Sequence, residues 1–240
     1  MFEFIIKNKK SFSTAAVIVA AGNSSRMNYQ DKQFIDILGK PVLAHTLTAF
    51  QKAPSIDGIF VVSREQDILI VSDIIKAFNI TKAVSVAPGG ETRTESVKSG
   101  INAVGDYDYI AIHDGARPCV LPEHIDNVVD AAVRTGAAAL GCPACDTLKS
   151  VDAHLNIIGT VERKGIWQIQ TPQVFKSEII KKAYEYAQKN DLTATDDCGL
   201  VELIGVSITV VEGTASNVKL TRQEDLSLIC SILAQNQETS

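Results

Sequence analysis

The sequence predicts an α/β fold, a mostly parallel sheet with helices on both faces, from three observations. Short continuous apolar runs recur along the chain, as in strands buried on both faces. Apolar stripes at helical spacing lie between them, an alternation that points to a sheet covered by helices. The segments following the runs are rich in glycine and charge, and in such sheets ligands bind beyond the carboxyl ends of the strands. A length of 240 residues suffices for one such domain or two small ones, and a hydrophobic content of 45% allows a full core.

The elements follow in order. Residues 1–13 place Phe2, Phe4, Ile5 and Ile6 ahead of Lys7, Lys9 and Lys10. A secretory leader has the reverse order and a longer apolar region, so an N-terminal extension on a cytoplasmic protein is expected. Ala15 to Ala20 reads as the first strand. Pro41 suits a first helical position, with Leu43, Leu47 and Phe50 on one face after it. Ile59–Val62, Val84–Val86 and Tyr109–Ile112 read as strands buried on both faces. Ile125, Val128, Val129, Ala132 and Val133 form a helical stripe entered through Pro122 and ended by Gly136. Ile179, Ile180, Ala183, Tyr184 and Ala187 form another. Between them, residues 146–173 break the alternation, with short alternating runs around polar turns that suggest a β-hairpin or arm. An arm protruding from a compact domain commonly packs on a second subunit, so a homodimer crossed by this arm is expected.

Composition excludes several classes. The net charge is −5 and no long basic run occurs, which argues against nucleic-acid binding by bulk electrostatics. No apolar stretch is long enough to span a bilayer. The five cysteines are Cys119, Cys142, Cys145, Cys198 and Cys230, an odd number that argues against a disulfide scaffold. Cys142 and Cys145 form a C-x-x-C, but no second ligand pair completes a zinc site and no helix follows to support a redox pair. They read as incidental thiols at a strand end.

The chemistry gathers in three loops. Residues 18–33 read IVAAGNSSRMNYQDKQ, a strand running into Gly22, small polar residues, Arg26 and Lys32. A turn of small residues lets backbone N–H groups converge on a phosphate. Arg26 adds a planar fork of donors and Lys32 a compact mobile charge, the equipment for holding a polyphosphate. The second loop is Pro88-Gly89-Gly90-Glu91-Thr92-Arg93-Thr94-Glu95-Ser96, and the third is His113-Asp114-Gly115-Ala116-Arg117-Pro118. Asp114, at a strand end, suits a magnesium ion or a ribose hydroxyl, or equally a helix cap. His113 reads as packed rather than catalytic. Neither G-x-x-x-x-G-K-[ST] nor G-x-G-x-x-G occurs, so nucleotide binding would use a different α/β loop set.

The ordered set AAGNSSRM, Lys32-Gln33, GGETRTESV, HDGARP, DTLK, TVERKGIWQIQTPQ, TDD and VEGTASNVKLT resembles the 2-C-methyl-D-erythritol 4-phosphate cytidylyltransferases of the non-mevalonate isoprenoid pathway, over roughly residues 14–234. The resemblance implies a Rossmann-like nucleotidyltransferase domain over 14–240, with 146–170 as a β-arm for dimerisation. It implies transfer of CMP from CTP to a phosphorylated methylated tetritol, with release of pyrophosphate and use of a divalent cation, normally Mg2+. Arg26, Lys32 and Lys219 are implied to be catalytic. Ala20, Ala21, Gly22, Gly90, Glu91, Ser96 and Asp114 are implied to meet the nucleotide, Asp114 also being a possible metal ligand. Arg117, Thr147, Arg163, Thr171 and Thr195 are implied on the acceptor side, Arg163 reaching the neighbouring active site. Asp31 departs from the proline common before the lysine, and its carboxylate could soften the local field or engage magnesium. Alternatives are a ribitol 5-phosphate cytidylyltransferase, a sugar nucleotidyltransferase using UTP or GTP, and a non-catalytic nucleotide-binding protein.

Overall fold

The computed structural model describes residues 11–22 and 31–238. Arg26 and most of the N-terminal extension therefore lie outside the described residues. Among those described, the chain builds β1 (Thr14–Val19), the small pair β2 (Asp36–Ile37) and β3 (Lys40–Pro41), α1 (Val42–Lys52), β4 (Gly58–Ser63), α2 (Ile68–Ala77), β5 (Ala83–Pro88), α3 (Arg93–Ala103), β6 (Tyr109–Asp114), α4 (Pro122–Thr135) and β7 (Ala137–Pro143). It continues through β8 (Lys149–Val151), β9 (Ile157–Thr160), β10 (Trp167–Lys176), α5 (Ser177–Lys189), α6 (Asp197–Glu202), β11 (Thr209–Glu212) and α7 (Asp225–Glu238).

Seven strands form the central sheet in the order β11-β7-β10-β6-β1-β4-β5. The pairs β5–β4, β4–β1, β1–β6 and β11–β7 are parallel, while β10 runs antiparallel to both β6 and β7. The strand period of two assigns the faces of β1. Ala16 and Ile18 join Leu43, Leu47 and Phe50 of α1 and Val128 of α4 in one core layer. Ala15, Val17 and Val19 join Val97 of α3 and Ile180 of α5 in the other. Full burial of each larger side chain contributes about 1.5–3 kcal/mol, which is why both faces must be covered.

Helix boundaries follow from local chemistry. Pro41 proves to be the N-cap of α1 rather than its first residue. Pro122 opens α4, and Gly136 closes it at φ +90° with its N–H on the Ala132 carbonyl at 2.7 Å. A side chain disfavours that left-handed conformation, so glycine fits there. A capping box opens α3: Glu95 N–H donates to Thr92 Oγ1 at 3.1 Å, and Thr92 N–H donates to Glu95 Oε2 at 3.0 Å.

One strand expectation needs correction. Val84–Val86 does not lie in a strand buried on both faces, because β5 is the sheet edge and Val84 is 58% exposed. The triplet reads Val-Ser-Val, and two valines flanking a serine do not distinguish a central strand from an edge. Within 146–173, β8 and β9 pair as a separate two-stranded sheet, whereas residues from Trp167 onward enter the central sheet as β10.

Candidate active site

The parallel strands β1, β4, β5 and β6 end along one edge of the sheet. Past β1, Ala20 and Ala21 are buried, and Ala20 N–H donates to the Val62 carbonyl at 2.7 Å. Past β5, Gly89 N–H donates to the Ser63 carbonyl at 2.8 Å. The two loops touch at backbone distance: a Cβ on Gly89 would meet that of Ala21 at 2.4 Å. Close approach, rather than a special torsion angle, requires glycine here. Ser96, on the first turn of α3, fixes this turn by accepting from Gly90 N–H at 3.2 Å and donating to the Thr92 carbonyl at 2.9 Å.

At the end of β6, Asp114 is surrounded by cations. Lys219 Nζ lies 2.7 Å from Oδ2, Arg93 Nε 3.1 Å from Oδ1 and Arg117 Nε 3.7 Å from Oδ2. Burial alone would raise this carboxyl, but Arg93, Lys219 and Arg117 outweigh it and hold it well below the usual carboxylate range. Arg93 reaches a second carboxylate, donating from Nη2 to Asp197 Oδ2 at 2.9 Å. Burial raises the Asp197 carboxyl, against the pull of Arg93 and of the Tyr184 hydroxyl, which donates to Oδ1 at 2.6 Å.

Behind Asp114 runs a second support. The β10–β7 register shifts between Ile169 and Gln173, so Gln170 to Pro172 leave the ladder. Bulges of this kind re-aim side chains. Asp114 N–H donates to Thr171 Oγ1 at 3.1 Å, and that hydroxyl lies 3.1 Å from His113 Nδ1. His113 Nε2 lies 3.4 Å from the Arg117 carbonyl. A neutral imidazole carrying its proton on Nε2 satisfies all three contacts. Burial, outweighing the nearby Asp114, indeed pushes the His113 pKa down to about 3. His113 is thus packed, as expected, against Phe50 and under the loop. Arg117 Nη1 donates to the Asn217 carbonyl at 2.7 Å, while Asn217 Nδ2 donates to Gln170 Oε1 and to the Thr171 carbonyl, both at 3.0 Å.

The result is a cleft of about 270 Å³ lined by Ala21, Gly22, Lys32, Gly90, Glu91, Ser96, Asp114 and Lys219 of the expected residues, together with Gln33 and Arg93. Asp31 does not stand as a loose carboxylate beside Lys32: it pairs with Arg64, which also holds Asp67. Its charge is therefore offset locally.

A family model described as IspD, 2-C-methyl-D-erythritol 4-phosphate cytidylyltransferase, matches residues 14–235. The chain belongs to this family. A 2-C-methyl-D-erythritol 4-phosphate cytidylyltransferase of Dehalococcoides mccartyi strain CBDB1 is 42% identical over 218 residues, covering 91% of this chain and 94% of the relative. One from Halalkalibacterium halodurans is 39% identical over 224 residues, covering 93% and 98%. The crystal structure of 4-diphosphocytidyl-2C-methyl-D-erythritol synthase from Anaerococcus prevotii superposes with a TM-score of 0.83 at 30% identity, covering 93% of this chain and 96% of that one. The ribitol 5-phosphate alternative draws no support from these relatives.

Other expected residues of this cytidylyltransferase lie away from the cleft lining. Ala20, Arg117 and Thr171 pack behind it, and Thr171 is 4% exposed. Thr195 is exposed just before the Asp196 cap of α6, and Thr147 is exposed between β7 and β8. Arg163 donates to the Cys145 carbonyl and, with Lys164 and Trp167, lines a separate cleft of about 750 Å³. Arg93, Asp197 and Asn217 were not singled out by the sequence as site residues. Arg93 is in the quoted GGETRTESV loop, but nothing local marks which of its polar side chains turns inward.

Proposed function

We propose that the cleft at the ends of β1, β5 and β6 binds CTP and passes its cytidylyl group to 2-C-methyl-D-erythritol 4-phosphate, releasing pyrophosphate. The observation that carries this reading is that Lys32, Lys219 and the glycine turns line one cleft, with Lys219 paired to Asp114, in a member of this cytidylyltransferase family. An acceptor phosphate oxygen attacks the α-phosphorus in line with departing pyrophosphate. Charge builds on non-bridging and leaving oxygens, and a phosphate dianion needs no strong base to act as nucleophile. Catalysis therefore reduces to positioning and cation placement. Lys32 supplies charge to the triphosphate, joined by Arg26. Lys219 is held at the cleft floor by Asp114, ready to meet the α-phosphate. Glycine turns admit the base and ribose beside Ala21 and Ser96, while Arg117, Thr147, Arg163, Thr171 and Thr195 serve the acceptor.

Among the described residues no group of three His, Cys, Asp or Glu could hold a metal. Among the described residues, Oδ1 of Asp114 takes a hydrogen bond from Arg93 alone and keeps acceptor capacity. A lone carboxylate fits Mg2+ carried in on nucleotide phosphates, where the ion neutralises triphosphate charge. Exposed apolar side chains on and around the arm, Leu155, Ile157, Ile158, Ile166 and Ile169, support a homodimer that covers them. No helix among the described residues is long and apolar enough to cross a membrane. The test is pyrophosphate release with Mg2+, CTP and either methylerythritol 4-phosphate or ribitol 5-phosphate. Turnover with the first alone is expected. Turnover with the second alone overturns the substrate, and CTP binding without turnover overturns the reaction.

A further inference from the structure

We propose that Asp197 and Tyr184 are positioning residues that set the cleft's cations in place through Arg93, although neither lines the cleft. Asp197 is 1% exposed and opens α6. It is not the cap of that helix. Asp196 caps it, accepting from Gly199 N–H at 2.9 Å, and its other oxygen accepts from Gln173 Nε2 at 2.8 Å. Asp197 instead turns into the protein, where Arg93 Nη2 donates to one of its oxygens at 2.9 Å and the Tyr184 hydroxyl to the other at 2.6 Å.

Stability alone gives no reason for this arrangement. A buried ion pair often does no better than well-packed apolar side chains of similar volume. Helix α6 has its cap without Asp197, and Tyr184 already buries its ring in the core layer beneath α3 and α5. What the pair does is geometric. Arg93 donates to Asp197 from Nη2 and to Asp114 from Nε, so one planar guanidinium is clamped between two carboxylates. A guanidinium held at one nitrogen can pivot; one held at two nitrogens by separate carboxylates is fixed in its plane. Asp114 in turn holds Lys219 at 2.7 Å. A continuous line of charge-assisted bonds thus runs from α5 through α6 and α3 to the lysine at the cleft floor.

The charges lead to the same place. Asp114 and Asp197 face Arg93, Arg117 and Lys219, leaving one net positive charge beside the cleft. With Asp197 neutral the excess doubles, Arg93 draws harder on Asp114, and Lys219 loses part of its share of that carboxylate.

This inference rests on the cleft being the CTP site. It is tested on the whole protein with Asp197→Asn and Tyr184→Phe, by steady-state kinetics normalised to active sites and by calorimetric titration with CTP. Tyr184→Phe removes only a hydroxyl and serves should Asp197→Asn fold poorly. Expected are a tenfold or larger fall in kcat for Asp197→Asn with a severalfold change in CTP affinity, and a two- to fivefold fall for Tyr184→Phe. In the double variant, the Tyr184→Phe effect should vanish, because both act through one guanidinium. A merely structural role lowers the active fraction and leaves kcat per active site and CTP affinity unchanged. Folded variants within twofold of wild type in both quantities overturn the inference, as do independent effects in the double variant. A wild type that binds CTP without turnover overturns the proposed reaction alone, since calorimetry on the variants still decides this point.

Discussion

Replacing Asp114 by Asn removes one charge and very little volume, and its consequences can be worked from the distances around it. Lys219, Arg93 and Arg117 lie 2.7, 3.1 and 3.7 Å from its oxygens. Removing one partner of a buried pair costs about 3–5 kcal/mol when the remaining charge stays unpaired. Here the side chains of Lys219 and Arg93 are 36% and 30% exposed and can turn toward water, and Arg93 keeps Asp197. A loss of roughly 2–3 kcal/mol is therefore expected. Its pH dependence has a definite sign. The folded pKa of Asp114 is depressed, so the stabilisation is complete above the unfolded value of about 4, fades as pH falls below it and is lost once pH passes the lower folded value. Urea unfolding of wild type and Asp114→Asn should give a constant difference from pH 8 to about 5 that narrows below about 4. Turnover should fall roughly 100-fold or more, as when one charge-stabilising group is lost. A difference under about 0.5 kcal/mol at pH 7, or one that already shrinks between pH 7 and 5, would refute the cation cluster as the source of the effect.

Four further outcomes are expected. Lys32→Ala should lose about 3 kcal/mol or more of barrier lowering while its melting temperature stays near that of wild type; unchanged turnover removes Lys32 from the mechanism. Gly89→Ala would press a Cβ to 2.4 Å from Ala21 and 2.8 Å from Ser96 Oγ, so it should destabilise by about 1–3 kcal/mol and raise the KM for CTP, which unfolding and kinetics measure together. Gly136→Ala, at φ +90°, should cost about 1 kcal/mol in urea unfolding with no change in kcat. Sedimentation at micromolar concentration should give a dimer, and a monomer would reject the arm as a dimerisation element.

Periodicity made the sheet and its main helices legible because burial on two faces leaves a pattern that local sequence carries. The stripe of α4, with Pro122 and Gly136 at its ends, corresponds to the helix found. The helix α3 was less visible, since its residues are mostly polar and its start is a capping box inside a loop rich in glycine. The same holds for the site. Lys32, Gly90, Ser96, Asp114 and Lys219 stood out by motif and meet in one cleft. Arg93 and Asp197 did not, because their meaning is their contact with each other across 104 residues. No periodicity reports such a pairing, and closing so long a loop has to be driven by the packing of whole elements.

That packing explains how Lys219 comes to its place. The loop after β11 returns to the sheet edge through Gly213, whose N–H donates to the Gly141 carbonyl at 2.7 Å. Gln170 leaves the β10 ladder and donates to the Thr214 carbonyl at 3.0 Å, and Asn217 binds Gln170 and Thr171 in return. Leu220 is fully buried with Ala116, Val42 and Ile229, and its N–H donates to the Ala116 carbonyl at 2.8 Å. An apolar anchor one residue away thus aims the lysine, and β10, running antiparallel in the central sheet, supplies the bulge that receives its loop. Because the anchor is apolar, salt should weaken the grip of Lys219 on Asp114 without displacing the backbone that carries it.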